Sequence, residues 1–246
     1  MLFRSIRVGE ASVPGPAADP MWSIGICNPS GLQGKFQLVS SIDASVLAIS
    51  ETHLSKRSTN AFHASLRAMR SRFTKVLTGA PLPQRASSSD AGSYAGVAFT
   101  SSLPCRTLAV PWPVDAYETS RVQCAAFFSP AGWVTGAVLY GYPQGKTHVD
   151  AKGKTELLLD FLFDHLHSLP GPRFFAGDWN FEPRDLDVVA KLRAAGWVEA
   201  QDLFLLRTGA PIQKTCKGAT RKDHLWLSPE LALAFADLSI DRKSVV

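Results

Sequence analysis

Short apolar runs alternate with amphipathic stretches along this chain. "MWSIGICNPSGL", from Met21, is an apolar run that stops at the turn formers Asn28, Pro29, Ser30 and Gly31. It predicts a strand, then a short helical pattern with Phe36, Val39 and Ile42 on one face. "ASVLAISETHL" predicts a continuous apolar strand ending at Glu51. Ser58 and Thr59 are candidates to cap a helix on which Phe62, Leu66, Met69 and Phe73 recur at helical spacing, with Arg67 and Arg70 on a solvated face. Residues 80–94, rich in Pro, Ser and Gly, read as a loop before the strand "YAGVAFTSS". "RVQCAAFFSPAGWVTGAVLYGY" is the clearest hairpin, turning at Ser129-Pro130-Ala131-Gly132. "TELLLDFLFDHLHSL" predicts an apolar helix whose His165 and His167 are helix-end groups rather than ligands. "PRFFAGDWNFEP" reads as a strand and loop, "DLDVVAKLRAAGW" as a helix that Gly196 ends, and "KDHLWLS" as a last strand.

Strands alternating with helices make this an α/β chain. Its 246 residues, 46% of them hydrophobic, are enough to bury a substantial core in a single domain. No long uncharged apolar run is present, so no transmembrane helix is expected, and the N-terminus lacks the pattern of a secretory signal. Cys27, Cys105, Cys124 and Cys216 are scattered without metal-binding spacing and read as small hydrophobes in a reducing, intracellular compartment. A net charge of +5 favours polyanionic partners, but weakly, since many basic proteins bind no nucleic acid. Nothing predicts a membrane or protein partner.

The two ends look foreign to the rest. Leu2-Phe3-Arg4-Ser5 and Asp241-Arg242-Lys243-Ser244 match the translations of one sequencing-adapter sequence and its inverse. Residues 1–20, with three prolines between 9 and 20, are therefore expected to be a flexible or artefactual lead-in. The ordered domain is expected over 21–240, and 241–246 as an artefactual tail.

Four predicted strands finish or start at polar residues: Asn28, Glu51, Asp178 with Asn180, and Asp223. Side by side in a sheet, such positions converge on one acidic pocket. Carboxylates and amides without a His/Cys ligand set suit a hard divalent cation, magnesium or, in its place, manganese. A cation beside amide donors and a titratable acid is what phosphodiester hydrolysis needs.

"ICNPSGL", "LAISETHL", "YGYPQG", "FFAGDWNFEP" and "RKDHLWLSPEL", in that order, resemble the motifs of the endonuclease/exonuclease/phosphatase superfamily. That superfamily includes exonuclease III, the apurinic/apyrimidinic endonucleases and the endonuclease domains of non-LTR retrotransposons. The resemblance spans Trp22 to Leu233 and implies a four-layer α/β sandwich, two packed mixed β-sheets flanked by helices. It makes Glu51 the metal-binding carboxylate and Asn28 its neighbour in the metal and phosphate shell. Asp178 would activate the attacking water or protonate the leaving group, and Asn180 would hydrogen-bond the phosphate or the water. Asp223 would orient a catalytic histidine, and either Tyr140 or Tyr142 would be the site tyrosine.

Departures accompany the matches. Ser30 stands where many relatives have asparagine, Trp179 replaces Phe or Met, and His224 takes a tyrosine-like place. No Asp-His pair follows Leu238, so the family's last strand is expected to be missing and the fragment to be impaired. The implied activity is a metal-dependent phosphodiesterase, foremost a DNA endonuclease of retroelement or repair type. The alternatives are a phosphatase on small phosphate esters or phosphoinositides and a degenerate domain that only binds nucleic acid.

Overall fold

A computed structural model describes residues 3–8, 22–32, 34–69, 72–79, 95–111, 120–143, 150–209 and 221–241. Its strands form two six-stranded sheets. The first contains β1 (Phe3–Val8), β2 (Trp22–Cys27), β3 (Val46–Ser50), β4 (Lys75–Thr78), β5 (Val97–Ser101) and, far along the chain, Phe235–Asp241. The second contains β6 (Cys105–Leu108), β7 (Val122–Ser129), β8 (Gly132–Tyr140), β9 (Arg173–Asp178), β10 (Val198–Glu199) and β11 (Asp223–Leu227). With Phe235–Asp241 as β12, the spatial orders are β12-β1-β2-β3-β5-β4 and β10-β11-β9-β8-β7-β6.

Each sheet contains one parallel pair, β2 with β3 and β8 with β9, and the other described pairs are antiparallel. A parallel pair needs a crossover. Helix α1 (Phe36–Ser40) lies in the first crossover; after α2 (Lys56–Ala68), helix α3 (Ala151–Ser168) lies in the second. The chain continues through α4 (Val188–Ala194), α5 (Ala200–Thr208) and α6 (Pro229–Leu233).

Three apolar clusters separate four layers. Between the sheets, Ile24, Val46, Phe99, Phe127, Val138 and Phe174 pack together. Phe99 meets Phe127 edge to face at 5.1 Å, and Phe174 lies 6.0 Å from both. Gly136 makes room for Phe174, because a Cβ there would sit 2.1 Å from its ring. Leu158, Leu162 and Phe163 of α3 and Val189 and Leu192 of α4 cover the outer face of the second sheet. Val39 of α1 and Phe62 and Leu66 of α2 cover that of the first. The four-layer α/β sandwich expected from the sequence is therefore the observed architecture. Among the described residues no helix is long and apolar enough to cross a membrane.

Some local expectations differ from what is seen. The cap of α2 is Ser55, whose hydroxyl accepts the Ser58 backbone N–H; Ser58 and Thr59 lie inside the first turn. Phe3–Val8, expected as part of a flexible or artefactual lead-in, pair with β2 on one side and β12 on the other. The rest of that lead-in from 9 to 20, the 80–94 loop, Cys216 and the tail beyond Asp241 lie outside the described residues. Gly196 ends α4 as expected, at a φ of 77°, with its N–H on the Arg193 carbonyl.

Candidate active site

The C-terminal ends of the two parallel pairs meet where β2 and β3 of one sheet pack on β8 and β9 of the other. Asn28 follows β2, Glu51 follows β3, Tyr140 closes β8 and Asp178 closes β9. Asp223, at the start of β11, lies across from Asp178 in the antiparallel register. Asn28 Nδ2 donates to Asp178 Oδ2 at 2.6 Å, and Asn28 Oδ1 accepts the Ser30 N–H at 2.9 Å. Asp178 Oδ1 accepts the Asn180 backbone N–H at 2.8 Å, and Asn180 Nδ2 donates to the Gly141 carbonyl at 3.0 Å.

The backbone here is bent into conformations that side chains ordinarily avoid. Among the described residues, the non-glycine positions with positive φ are Ser30, Glu51, His53 and Asn180, at 47°, 55°, 53° and 61°. Such residues persist only where surrounding contacts over-determine them. Those contacts are present: Gly31 and Leu32 donate to the Glu51 and Thr52 carbonyls, Gly141 to the Asp178 carbonyl, and Trp179 to the Lys222 carbonyl. Gly177 allows the closest approach, at a φ of 140° with its missing Cβ only 1.9 Å from the Leu139 carbonyl oxygen.

The electrostatics divide the carboxyl groups. Burial, with the charges of Asp223 and Glu51, pushes Asp178 well above the ordinary carboxylate range, against the opposing pull of the Asn180 N–H and Lys222. Burial also pushes Glu51 upward, but hydrogen bonds with His53, Asn28 and Ser30 outweigh it and hold the carboxyl below its usual value. Burial and the charges of Glu51 and Asp178 drive the Tyr140 hydroxyl above its ordinary value, although Arg121 and Asn180 act in the opposite direction. One carboxyl thus favours its proton and one its charge, the arrangement in which acid and base work can be divided.

The donor set fits a hard cation. Glu51 is a partly exposed carboxylate with the Asn28 amide beside it, while Asp178 is buried. Among the described residues no three His, Cys, Asp or Glu side chains group closely enough to hold an ion by themselves. A small ion that keeps several waters and shares its remaining positions with a phosphate suits such a sparse set.

Asn28, Glu51, Tyr140, Asp178, Asn180 and Asp223 are brought together; Tyr142 is not. It packs on the outer side of the second sheet in the cluster beneath α3, with the Arg121 guanidinium 4.0 Å from its ring centre. Tyr140 is the tyrosine that reaches the acids, since it pairs in register with Asp178 and feels the charges of Glu51 and Asp178. His224 faces away from Asp223's side of β11. Its ring nitrogens sit 2.9 Å from Glu199 Oε1 and 2.9 Å from the Phe181 carbonyl, with Trp179 against the ring. Sequence reasoning missed His53, 3.5 Å from Glu51, and Arg121, behind Tyr140. His53 could have been found from its place two residues after Glu51 at a strand end; Arg121 precedes an apolar run and gave no such sign.

No protein-family model and no curated protein matches the sequence. Solved structures do match the fold. An apurinic/apyrimidinic (AP) endonuclease from Archaeoglobus fulgidus superposes with a TM-score of 0.62 at 16% identity, covering 85% of this chain and 87% of that one. The 3′ phosphatase NExo from Neisseria, a variant solved with a product DNA hairpin, gives 0.62 at 17% identity, covering 87% and 89%. A truncated TDP2 from Caenorhabditis elegans gives 0.51 at 17%, covering 80% and 77%. With two mixed sheets packed face to face, helices outside them, and the acids gathered where the parallel strands end, this chain has the endonuclease/exonuclease/phosphatase fold.

Proposed function

We propose that this domain is a magnesium-dependent phosphodiesterase whose substrate is DNA, acting as an endonuclease. The observation that carries the reading is the joining of Asn28, Asp178 and Asn180 beside Glu51, Tyr140 and Asp223 at one sheet end. Glu51, with Asn28 beside it, would hold the cation, which supplies charge neutralisation at a phosphate when bound. Asp178, kept from ionising easily, exchanges a proton with the attacking water or the leaving oxygen. Asn180 has its backbone N–H on Asp178 and a side-chain N–H on Gly141, which holds it beside Asp178, where its amide would hydrogen-bond the phosphate or the water. Tyr140, whose hydroxyl is hydrogen-bonded with the Asn180 side chain, would contact the same phosphate. A net charge of +5 supports a polyanionic substrate.

The test is magnesium-dependent nicking of supercoiled plasmid by the chain and by Asp178→Asn. The assay uses enzyme in excess of plasmid. Metal-dependent nicking that disappears in Asp178→Asn supports the reading. Absence of nicking together with release of phosphate from a 3′-phosphorylated duplex transfers it to a phosphatase, an activity that the name of the Neisseria neighbour carries. DNA binding with neither reaction leaves a binding domain.

A further inference from the structure

Arg121 precedes β7 and is almost wholly buried, yet among the described residues no carboxylate pairs with it. Among the described residues its buried Nε has no hydrogen-bond partner. Burying a guanidinium is costly, so the contacts that hold it there matter. Those contacts point at the site. Nη1 donates to the Tyr140 carbonyl at 3.2 Å and to the Gly141 carbonyl at 3.1 Å. The guanidinium carbon stands 5.3 Å from the centre of the Tyr140 ring and 4.0 Å from that of Tyr142.

The Gly141 carbonyl is shared. It accepts Asn180 Nδ2 at 3.0 Å as well as Arg121 Nη1. An amide side chain can present either its oxygen or its nitrogen to a given point, and the direction is set by what the other end bonds. With its nitrogen on Gly141, Asn180 turns its oxygen the other way. The Gly141 carbonyl is itself fixed from one side by Arg121 and from its own N–H by the Asp178 carbonyl at 2.8 Å. Gly141 cannot be replaced without conflict, since a Cβ there would lie 2.3 Å from the Trp179 carbonyl oxygen.

We infer that Arg121 is a positioning residue for the reaction, acting through the Gly141 carbonyl to fix the orientation of the Asn180 amide and through its cationic face to hold the Tyr140 ring. Its charge also lies behind a site that gathers Glu51, Asp178 and Asp223. The inference rests on the phosphodiesterase reading for its effect on rate, but its geometric part stands independently of any substrate.

The experiment has two arms. In the first, Arg121→Met, Arg121→Lys, Asn180→Ala and the double variant Arg121→Met/Asn180→Ala are assayed for nicking, with folding checked by thermal melts. Arg121→Met is expected to lower kcat about 10- to 100-fold with KM within about twofold, and Arg121→Lys to recover part of the loss. The double variant is expected to be no slower than Asn180→Ala alone, because both changes interrupt one path. Losses that multiply in the double variant overturn the inference. In the second arm, the side-chain amide resonances of Asn180, assigned by their absence in Asn180→Ala, are followed by NMR. Arg121→Met, or Arg121→Lys should the first fail to fold, is expected to shift them and speed their hydrogen exchange. Unchanged resonances and exchange in a folded variant overturn the inference. A wild-type chain that does not nick DNA refutes the functional reading, while the NMR arm still decides the positioning role.

Discussion

Asn28 on the first sheet donates its side-chain amide to Asp178 on the second across 2.6 Å, joining residues 150 positions apart in sequence. The bond ties the sheets at the end where the site lies. It also leaves Asp178 with a hydrogen-bond donor on each oxygen, since Oδ1 takes the Asn180 N–H. Asn28→Ala removes one donor and leaves a buried carboxyl oxygen without its partner. The expected cost is about 1 to 3 kcal/mol in urea unfolding and about a hundredfold in nicking rate. A variant as stable and as active as the wild type would show that the bond ties nothing.

Asp178→Asn separates stability from activity. Burial and the neighbouring acids raise the Asp178 carboxyl, so between its unfolded and folded values the native state binds more protons than the unfolded chain. Its charging therefore costs stability as pH rises through that window, and costs nothing below about pH 4, the unfolded value. Asparagine removes the charge and keeps an oxygen for the Asn180 N–H, but sets its own amide nitrogen against the Asn28 amide, a cost that does not change with pH. Relative to the wild type, the variant is therefore expected to gain several degrees between acid and neutral pH, at about 2 to 4 °C per kcal/mol for a chain of this size. Nicking is expected to vanish. Melting curves from pH 4 to 8 check the sign, and a difference that does not move in the variant's favour as pH rises defeats the electrostatic account.

The architecture was legible in the sequence because apolar runs of strand length alternate with helical spacing, and the acids at the run ends could be placed together once the strands were taken as neighbours. What escaped has physical reasons. The strands β4, β6 and β10 are short and in part exposed, so burial leaves little pattern in them. Helix α5 begins at Ala200 immediately after β10 and presents Leu205 and Leu206 outward, which breaks the amphipathic rhythm. The choice between Tyr140 and Tyr142 could not be made from spacing, because it depends on where β8 ends and Gly141 turns the chain. Arg121 acts through carbonyl oxygens, and backbone partners leave no signature in residue type.

Gly177→Ala tests the closest backbone approach beneath the site. The added methyl would meet the Leu139 carbonyl at 1.9 Å, in a conformation that only glycine adopts readily. β8 and β9 are a parallel pair at the centre of the second sheet, so neither can shift without disturbing its other neighbour. A loss above about 4 kcal/mol is expected, enough to leave the protein largely unfolded. Soluble, cooperatively melting Gly177→Ala would contradict it.

Arg173 binds the end of α3 to α6. Nη1 donates to the carbonyls of His167 at 3.0 Å and Leu169 at 2.5 Å, and Nη2 reaches both Glu230 oxygens at 2.9 and 3.0 Å. Arg173→Met is expected to cost about 2 to 4 kcal/mol, since it strips helix-end carbonyls of their donor as well as breaking the pair. Glu230→Gln is expected to cost under about 1 kcal/mol because its carboxylate is half exposed. Slight burial pushes Glu230 up, but hydrogen bonds from Ser228, its own N–H and Arg173 pull it below its usual value. That contribution is present above the unfolded value and is lost as pH falls through the folded one, so the difference between Glu230→Gln and wild type should close in acid. Urea melts at pH 7 and pH 3 measure both.

Glu51→Gln tests the metal-binding part of the proposal. Glu51 is held at a positive φ and kept ionised by hydrogen bonds with His53, Asn28 and Ser30, so its charge is prepared before any ion arrives. Glutamine preserves the shape and an oxygen ligand but removes the charge that a hard cation requires. The expected result is a rise of about tenfold or more in the magnesium concentration giving half-maximal nicking, with much of the lost rate recovered at high magnesium. Chelation with EDTA should abolish nicking by both proteins. The thermal midpoint without metal should fall slightly at neutral pH and rejoin the wild type in acid, because the hydrogen bonds that hold Glu51 below its usual value stabilise its charged form in the folded chain. An unchanged magnesium requirement in Glu51→Gln would move the cation away from β3 and leave Glu51 to its neighbours Ser30 and His53.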